Sequence, residues 1–426
     1  MRRGILIVLV VGALASITFA SAEPLRWNGS LTQAQVILRA QKSFAAQLAA
    51  LDARNAAAQA RSARAQALPQ VSVSETTMNS TLTQLGMPAA HQTYGSLNAS
   101  VPLFAPQAWA AARAAGSEAS AVRATAAMDV NQAVTDAVQK YDAAALTRAI
   151  AQQRAIDVRD QQSHLSNTQE RVRTGAAPRY LIARDQAALA QAQQSEEDAR
   201  ADADRALHAL EVLLDFDTGS MPVVALQAPS LTFAPDVATL EQRAYLQRPD
   251  VVAAERLMLA ARQRMTRARS EYLPIISATA QTYNGASSPA LGTAGSQVSV
   301  SASLPLFDGG SRSADAQTAQ VNYERARIDL DRTRLQTQAD VLDAVRDLQA
   351  SQRNVVTASD ELTNADQELR IAELRERAGK GIELETLDAL ATLASAREDV
   401  LRATARYDDS LAALHRAAGD YAPPSY

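Results

Sequence analysis

Two kinds of hydrophobic pattern follow one another along the chain. Long stretches carry apolar residues at helical spacing with almost no glycine or proline, whereas short stretches alternate apolar and small polar residues. The clearest short stretch has a serine at every second position of 299–303, and a period of two is typical of a strand with one apolar face. Its apolar positions are Val298, Val300, Ala302 and Leu304. We predict two strands here, 275–283 and 297–306.

The same succession of patterns occurs twice, which predicts an internal two-fold repeat. Each half runs helix, β-hairpin, long helix, glycine-containing break and returning helix. Matched landmarks, such as Leu68-Pro69 and Leu273-Pro274, lie 203 to 205 residues apart. The predicted first repeat, 23–220, has a hairpin at about 70–103, a long helix at 106–174 and a helix at 178–214. A linker, 221–236, precedes the second repeat, 237–420, with a hairpin at about 275–306, a long helix at 311–378 and a helix at 382–418.

The first helix of each repeat is predicted to be continuous. In the first repeat it begins with Ser30 as its N-cap and ends before Leu68-Pro69. In the second repeat it begins near Ala238, passes through Arg248-Pro249 and ends near Tyr272.

Residues 1–22 have the three parts of a secretory signal peptide. Two arginines at positions 2 and 3 precede an apolar run, and Ala20-Ser21-Ala22 has the small residues of a cleavage site. The alternative is a membrane anchor, for which the run is short. We expect an exported mature chain that ends in a short tail, 421–426. Because the chain contains no cysteine, we expect neither a disulfide nor a lipid on an N-terminal cysteine.

Charge and composition argue against several function classes. The chain has 42 basic and 46 acidic residues, without the basic surface expected of a nucleic-acid-binding protein. The four histidines are scattered, at spacings that suggest neither metal ligands nor a catalytic base. The glycines around Lys380 do not match a phosphate-binding loop. We therefore expect no enzymatic activity, no metal site and no cofactor.

The lengths of the helices and strands predict a membrane architecture. As one helix, residues 106–174 would span roughly 100 Å, far more than helices of ordinary globular domains, and alanine-rich apolar positions favour coiled-coil packing. Each predicted strand could cross a bilayer at a tilt, and in lipid only a closed barrel satisfies strand hydrogen bonds. Four strands are too few, because known spanning barrels start at eight. We predict an α+β membrane protein with long coiled-coil helices that must oligomerise to close its barrel. A trimer with four strands per protomer would supply a twelve-stranded β-barrel. The apolar positions from Val298 to Leu304 would face lipid.

Several motifs add a resemblance to a known family. In chain order, LPQVSVS, VPLF, RPDVVAAE, YLPIISATA, LPLFDGG and GIELETLDALATL resemble the outer-membrane efflux protein family, the TolC-type outer-membrane factors, over almost the whole mature chain. The resemblance implies a homotrimeric passive channel of a Gram-negative bacterium. Its twelve-stranded β-barrel would lie in the outer membrane and continue into the periplasm as a long α-helical coiled-coil tunnel. It also implies two partners for efflux or type I secretion: a periplasmic adaptor (membrane fusion) protein and an inner-membrane transporter of RND, ABC or MFS type. Such channels export drugs, metals, toxins or proteins.

The resemblance also assigns a control point. Glu385 and Asp388, three residues apart on the returning helix, are expected to face the lumen, where a trimer would gather six carboxylates into a periplasmic gate and selectivity ring. Acids in a first helical turn also suit the helix dipole, and this plainer explanation stays open. In the first repeat, Leu181 occupies the position that matches Glu385, with Arg179, Arg184 and Asp185 nearby. The breaks between the helices are the expected adaptor-docking turns, with Gly175, Pro178, Arg179, Gly379, Lys380 and Gly381.

Other classes of protein share part of this pattern. A soluble periplasmic coiled-coil adaptor or a surface structural protein would also have long helices, with the hairpins as docking modules. A family member that has lost transport and serves assembly is a third alternative. A conduit takes its substrate specificity from the transporter with which it docks, so the sequence names no substrate.

Overall fold

The structure is a computed structural model that describes residues 27, 29–80, 90–217, 220, 222–226, 236–285 and 294–420. The predicted signal peptide 1–22, most of the predicted linker 221–236 and the predicted tail 421–426 lie outside these residues.

The described residues form eight helices and four strands. In the first half they are α1 (Gln33–Ala40), α2 (Phe44–Ala65), β1 (Gln70–Ser80), β2 (Ala90–Phe104), α3 (Pro106–Arg173) and α4 (Tyr180–Leu213). In the second half they are α5 (Val237–Gln247), α6 (Pro249–Ser270), β3 (Ile275–Gly285), β4 (Ala294–Ser303), α7 (Ser311–Arg377) and α8 (Glu383–Ala418). The order of elements is therefore the same in the two halves, with two long helices of 68 and 67 residues.

The expectation of one continuous helix before each hairpin is wrong. In the second half the helix breaks at Arg248, which is extended (φ −63°, ψ 125°), because a residue before proline is driven out of the α conformation. In the first half Ser43 is extended and starts a new helix. The amide of Phe44 donates to Asp215 Oδ2 (2.7 Å), so a distant carboxylate satisfies one of the free amides of this new helix.

The N-cap of α1 is Thr32 rather than Ser30. Thr32 Oγ1 accepts from the amide of Gln35 (3.4 Å), and the amide of Thr32 donates to Gln35 Oε1 (2.9 Å), which is a capping box. Ser30 instead lies in an isolated bridge with Val223, where the amide of Leu31 donates to the Val223 carbonyl (2.9 Å).

The four strands form one antiparallel sheet in the order β1-β2-β3-β4, so the two hairpins join through β2 and β3. The predicted strand from 297 to 306 begins earlier and ends at Ser303, which leaves Leu304 just beyond β4. The proline that follows Leu304 has no amide for a further ladder bond and accounts for this end.

The buried apolar residues include two large and separate clusters, each of them mainly aliphatic and rich in alanine. One cluster surrounds Tyr141 of α3 and contains residues of α1, α4 and the segment at 216–226, whereas the other surrounds Tyr407 of α8 with residues of α5 and α7. Tyr141 is 3% exposed, and its hydroxyl donates to the carbonyl of Leu31 (3.0 Å). Among the described helices, none combines the length and apolar character needed to span a membrane.

Candidate functional site at the helical tip

Two glycine turns reverse the chain at the far end of the long helices. Gly175, after α3, and Gly379, after α7, have φ of +79° and +66°, a left-handed conformation that favours glycine. The turns close in the same way, since the amide of Ala176 donates to the Arg171 carbonyl and the amide of Lys380 to the Arg375 carbonyl, both at 2.8 Å. This is the bond pattern of a Schellman motif, which uses the free carbonyls of a helix end.

The other predicted turn residues form an exposed surface around these glycines. Pro178, Arg179 and Lys380 are exposed. Gly381 is less exposed, and a β-carbon there would lie 3.1 Å from Arg375 Cβ and from the Glu376 amide, so only glycine fits without a shift. We call residues 174–179 and 378–382 the tip turns.

The two predicted gate residues lie close to the second tip turn on α8. Glu385 is half-buried and pairs with Arg375 of α7 (3.5 Å), whereas Asp388 is exposed. Their spacing of three places them on neighbouring parts of one helical face. A ring of carboxylates needs three copies of the chain, so the selectivity ring stays a prediction.

A polar network close to the tip turns was not predicted from the sequence. It joins the two helical hairpins, α3–α4 and α7–α8. Arg171 of α3 pairs with Glu376 of α7, whose side chain is 10% exposed. The other oxygen of Glu376 accepts from Thr386 Oγ1 of α8 (2.6 Å). The network therefore ties three helices together through one carboxylate. The sequence carried a partial signal, because Arg171 and Arg375 hold equivalent positions four residues before the two glycines.

Further along the same contact, α3 and α8 are held by charged pairs. Arg154 of α3 is 2.6 Å from Glu398 of α8, and Arg397 of α8 lies 3.1 Å from Asp160 and 3.9 Å from Asp157. Burial raises the pKa of Asp157 from its ordinary value, against the effect of Gln153 and the two arginines. These contacts show that the interface between the hairpins is polar over several turns.

A buried triad also lies between the hairpins: His164 of α3, Asp185 of α4 and Glu383 of α8. Burial, followed by repulsion from Asp185, raises the pKa of Glu383 to about 7. Sequence reasoning treated His164 as an isolated histidine, because its partners are far away along the chain. His164 shares its face of α3 with Asp157, Gln161 and Thr168, so no apolar pattern in the sequence marks this position as buried.

The sheet at the opposite end has two chemically distinct faces. Residues directly paired across an antiparallel sheet share a face, and the register places Val71, Ala99, Ala280 and Val298 in one row, beside Val101, Ala278 and Val300. The next rows on the other face contain Ser100, Thr279 and Ser299, and Pro102, Ser277 and Ser301. Hydroxyl pairs run across this polar face, at 2.7 Å for Thr279 with Ser299 and 3.0 Å for Ser277 with Ser301.

The apolar face of the sheet is open in the single chain. Of the four residues predicted to face lipid, Val298 is 78%, Val300 66% and Leu304 50% exposed, and Ala302 is exposed as well. β1 and β4 are the two edge strands of the sheet that the described residues form. Long exposed edges with an apolar face call for pairing with another chain.

Comparison with known proteins gives one family match. The family model described as "Outer membrane efflux protein" matches residues 240–420. Among curated protein sequences, none matches this chain.

Several solved structures share the fold. VceC, an outer membrane protein of Vibrio cholerae, superimposes with a TM-score of 0.78 at 21% identity, over 91% of this chain and 96% of that chain. CusC, described as forming a transmembrane channel, gives a TM-score of 0.81 at 20% identity, over 91% of this chain and 92% of that one. The MtrE outer membrane channel of Neisseria gonorrhoeae, solved in its open state, gives 0.78 at 19% identity, over 91% and 88%. At such identities the structural likeness shows the fold alone. It confirms the predicted combination of long helices with a four-stranded sheet.

Proposed function

We propose that the chain forms a passive channel in the outer membrane of a Gram-negative bacterium, because residues 240–420 match the family model described as "Outer membrane efflux protein". The channel would receive substrates from the periplasm or from an inner-membrane transporter and release them outside the cell. The observation that carries this proposal is the four-stranded sheet, with one apolar face and two unpaired edges, at the end of helices about 100 Å long.

The sheet supports a trimer. Strands of 10 to 15 residues suffice to cross a bilayer at a tilt, but four strands with two free edges leave backbone groups unsatisfied in lipid. Pairing β4 of one protomer with β1 of the next satisfies both edges at once. Three protomers then give twelve strands, above the minimum of eight known for spanning barrels.

The two faces of the sheet support an assignment of lipid and lumen. The row from Val71 to Val298 would face the acyl chains, with Val300, Ala302 and Leu304. The hydroxyl rows that contain Thr279 and Ser299 would line a water-filled pore, because polar groups in a barrel face the interior. A serine-lined pore offers hydrogen bonds without a fixed charge, as suits a conduit for varied cargo.

The tip turns would close the channel at its periplasmic end. In a trimer, Glu385 and Asp388 of three α8 helices would gather six carboxylates around the narrowing lumen. Such a ring attracts cations and raises the barrier to anions. The Arg171–Glu376 contact would hold the two helical hairpins together in the closed state, whereas the Arg375–Glu385 pair would join α7 to α8 within the second hairpin.

The exposed tip turns would dock a periplasmic adaptor, which connects the channel to an RND, ABC or MFS transporter. Arg179 and Lys380 supply positive charge there, and Tyr180 and Ile382 are 68% and 61% exposed. Exposed aromatic and aliphatic side chains beside charges are typical of docking surfaces. Replacing Lys380 by Glu should weaken co-purification of a periplasmic adaptor co-expressed with this chain, without changing the channel's conductance.

Single-channel recording in planar lipid bilayers tests the proposal. The purified protein should give discrete openings that a micromolar trivalent cation blocks, and Glu385→Ala with Asp388→Ala should reduce both block and cation preference. Asp366→Ala with Glu373→Ala, which removes two partly exposed carboxylates of α7, serves as the charge-matched control. A protein that is released without detergent and gives no conductance would support the adaptor alternative instead.

A further inference from the structure

The triad of His164, Asp185 and Glu383 is the most deeply buried group of metal-binding side chains in the described residues. The three residues are 8%, 1% and 7% exposed. They come from three helices, α3, α4 and α8, so they join both hairpins. His164 Nε2 lies 3.7 Å from Asp185 Oδ2, and one donor atom from each residue lies within 4.8 Å of the others.

Hydrogen bonding within the described residues leaves these donor atoms unsatisfied. His164 Nε2, both carboxylate oxygens of Asp185 and both of Glu383 are buried without a hydrogen-bond partner. Buried polar atoms are ordinarily paired, and a buried carboxylate is costly unless it meets a cation or a donor. These converging and unpartnered atoms therefore form a candidate binding site for a ligand that is not part of the polypeptide.

The local charge indicates what that occupant is. Asp185, Glu383 and the neighbouring Glu376 bring three carboxylates, against which Arg171 supplies one guanidinium. The guanidinium pairs with Glu376 and offsets only part of the negative charge near Glu383. A divalent cation would balance the two remaining carboxylates.

We propose that His164, Asp185 and Glu383 bind a divalent transition-metal ion of the Zn²⁺ class. One imidazole nitrogen with two carboxylate oxygens is a ligand set that Zn²⁺ accepts, with water in the fourth position. Ligands about 2.0–2.2 Å from a tetrahedral ion lie roughly 3.3–3.5 Å from one another, close to the His164–Asp185 distance. The ligand atom of the third residue lies within 4.8 Å of the other two. Mg²⁺ and Ca²⁺ are a poorer match, because they prefer six or more oxygen ligands.

The ion would fasten the first turn of α8 to the last turns of α3 and the first turns of α4, close to the first tip turn. Glu383 is the first residue of α8, directly after the second tip turn. A metal bond there resists any movement that separates α8 from α3 and α4. Metal binding is independent of the channel function, whereas an effect of the metal on tip opening rests on the proposed function.

Metal binding by the full-length protein in detergent, purified without a polyhistidine tag and stripped with EDTA, tests the site. After dialysis against Zn²⁺ and then against metal-free buffer, elemental analysis should give one Zn²⁺ per chain. The X-ray absorption spectrum of the bound zinc should show nitrogen and oxygen ligands alone. His164→Asn and Glu383→Gln should each lower the affinity by at least the roughly 10–100-fold that loss of an outer-shell partner costs. His208→Asn is the matched control, because His208 is an exposed histidine of α4 that pairs with Glu211.

Thermal melting separates lost binding from lost folding. Zn²⁺ should raise the melting temperature of the wild-type protein and of His208→Asn, but not that of Glu383→Gln. Without metal, Glu383→Gln should melt no lower than the wild type, because it removes an unpaired buried carboxylate. Absence of stoichiometric Zn²⁺ in the wild type, or unchanged affinity in His164→Asn, would overturn the inference. Conductance recorded in EDTA tests the channel proposal separately.

Discussion

The contact between Arg171 and Glu376 predicts how strongly the two hairpins are held together at the tip. In Arg171→Ala, Glu376 keeps the Thr386 hydroxyl as its donor, although its side chain is only 10% exposed. Hydrogen bonds to charged groups contribute about 1.5–3 kcal/mol. Because the Arg171 side chain is 36% exposed, solvent screening reduces this to about 1 kcal/mol per protomer.

The trimer multiplies the effect. Three broken pairs would weaken the closed tip by about 3 kcal/mol, which is roughly a hundredfold shift toward opening at 1.4 kcal/mol per factor of ten. Arg171→Ala should therefore raise the open probability in planar-bilayer recordings by about two orders of magnitude. The matched control is Arg377→Ala, which removes an exposed pair with Glu373 inside α7 (2.8 Å) and should change little.

The reasoning fails if the two variants behave alike. An unchanged open probability in Arg171→Ala would mean that opening does not separate α3 from α7 at this level. An equal rise in Arg377→Ala would mean that loss of positive charge near the tip, rather than the bridge, controls conductance.

Three further predictions concern stability. Burial, with repulsion from Asp408 and Asp409, raises the pKa of Asp142 from 3.8 to about 8. Between these values the folded state keeps a proton that the unfolded state releases. The contribution of Asp142 to the free energy of unfolding should therefore be fully present below about pH 4 and decline toward pH 8. Asp142→Asn should therefore melt higher than the wild type at pH 8, by a free energy on the order of a few kcal/mol, and the difference should vanish near pH 4. Arg248, 13% exposed, donates to both Asp250 (2.6 Å) and Asp340 (2.9 Å), so Arg248→Ala should cost about 1–3 kcal/mol in thermal melting, whereas Arg346→Ala, from an exposed pair within α7, should cost almost nothing. Gly379→Ala, at φ +66°, should cost about 1–2 kcal/mol locally and speed hydrogen–deuterium exchange at 376–382, with little change in the global melting temperature.

The features that the sequence predicts well are those with a local cause. The long helices lack internal breakers, and α3 and α7 end one residue from their predicted ends, before the left-handed glycines. The alternating valines and serines near 300 place β4 and its two faces, because side chains alternate across any strand. Even the break at Arg248-Pro249 had a local signal, which the expectation of a continuous helix overlooked.

The features that the sequence does not reveal depend on contacts between distant segments. The start of α2 has a local signal in its N-cap Ser43, whose hydroxyl accepts from the Ala46 amide, but its support by Asp215, which lies 171 residues away, is not visible in the sequence. The triad needs three helices to be side by side before His164 meets Asp185 and Glu383. The ring of Glu385 and Asp388 goes one step further, since it depends on the contact of three copies.

Cross-linking of the sheet edges tests the central claim, a barrel closed by three chains, most directly. The chain has no cysteine, so a pair of introduced cysteines reports only on the contact between β1 and β4. Four pairs combine Val71→Cys or Val73→Cys in β1 with Val298→Cys or Val300→Cys in β4. Within one chain β1 and β4 are three strand spacings apart, roughly 14 Å, and disulfides need about 4 Å between Cβ atoms. A closed trimer predicts that at least one pair, oxidised in membranes, gives covalent dimers and trimers on denaturing gels, while single cysteines do not give trimers. Monomers for all four pairs in folded, membrane-inserted protein would contradict it.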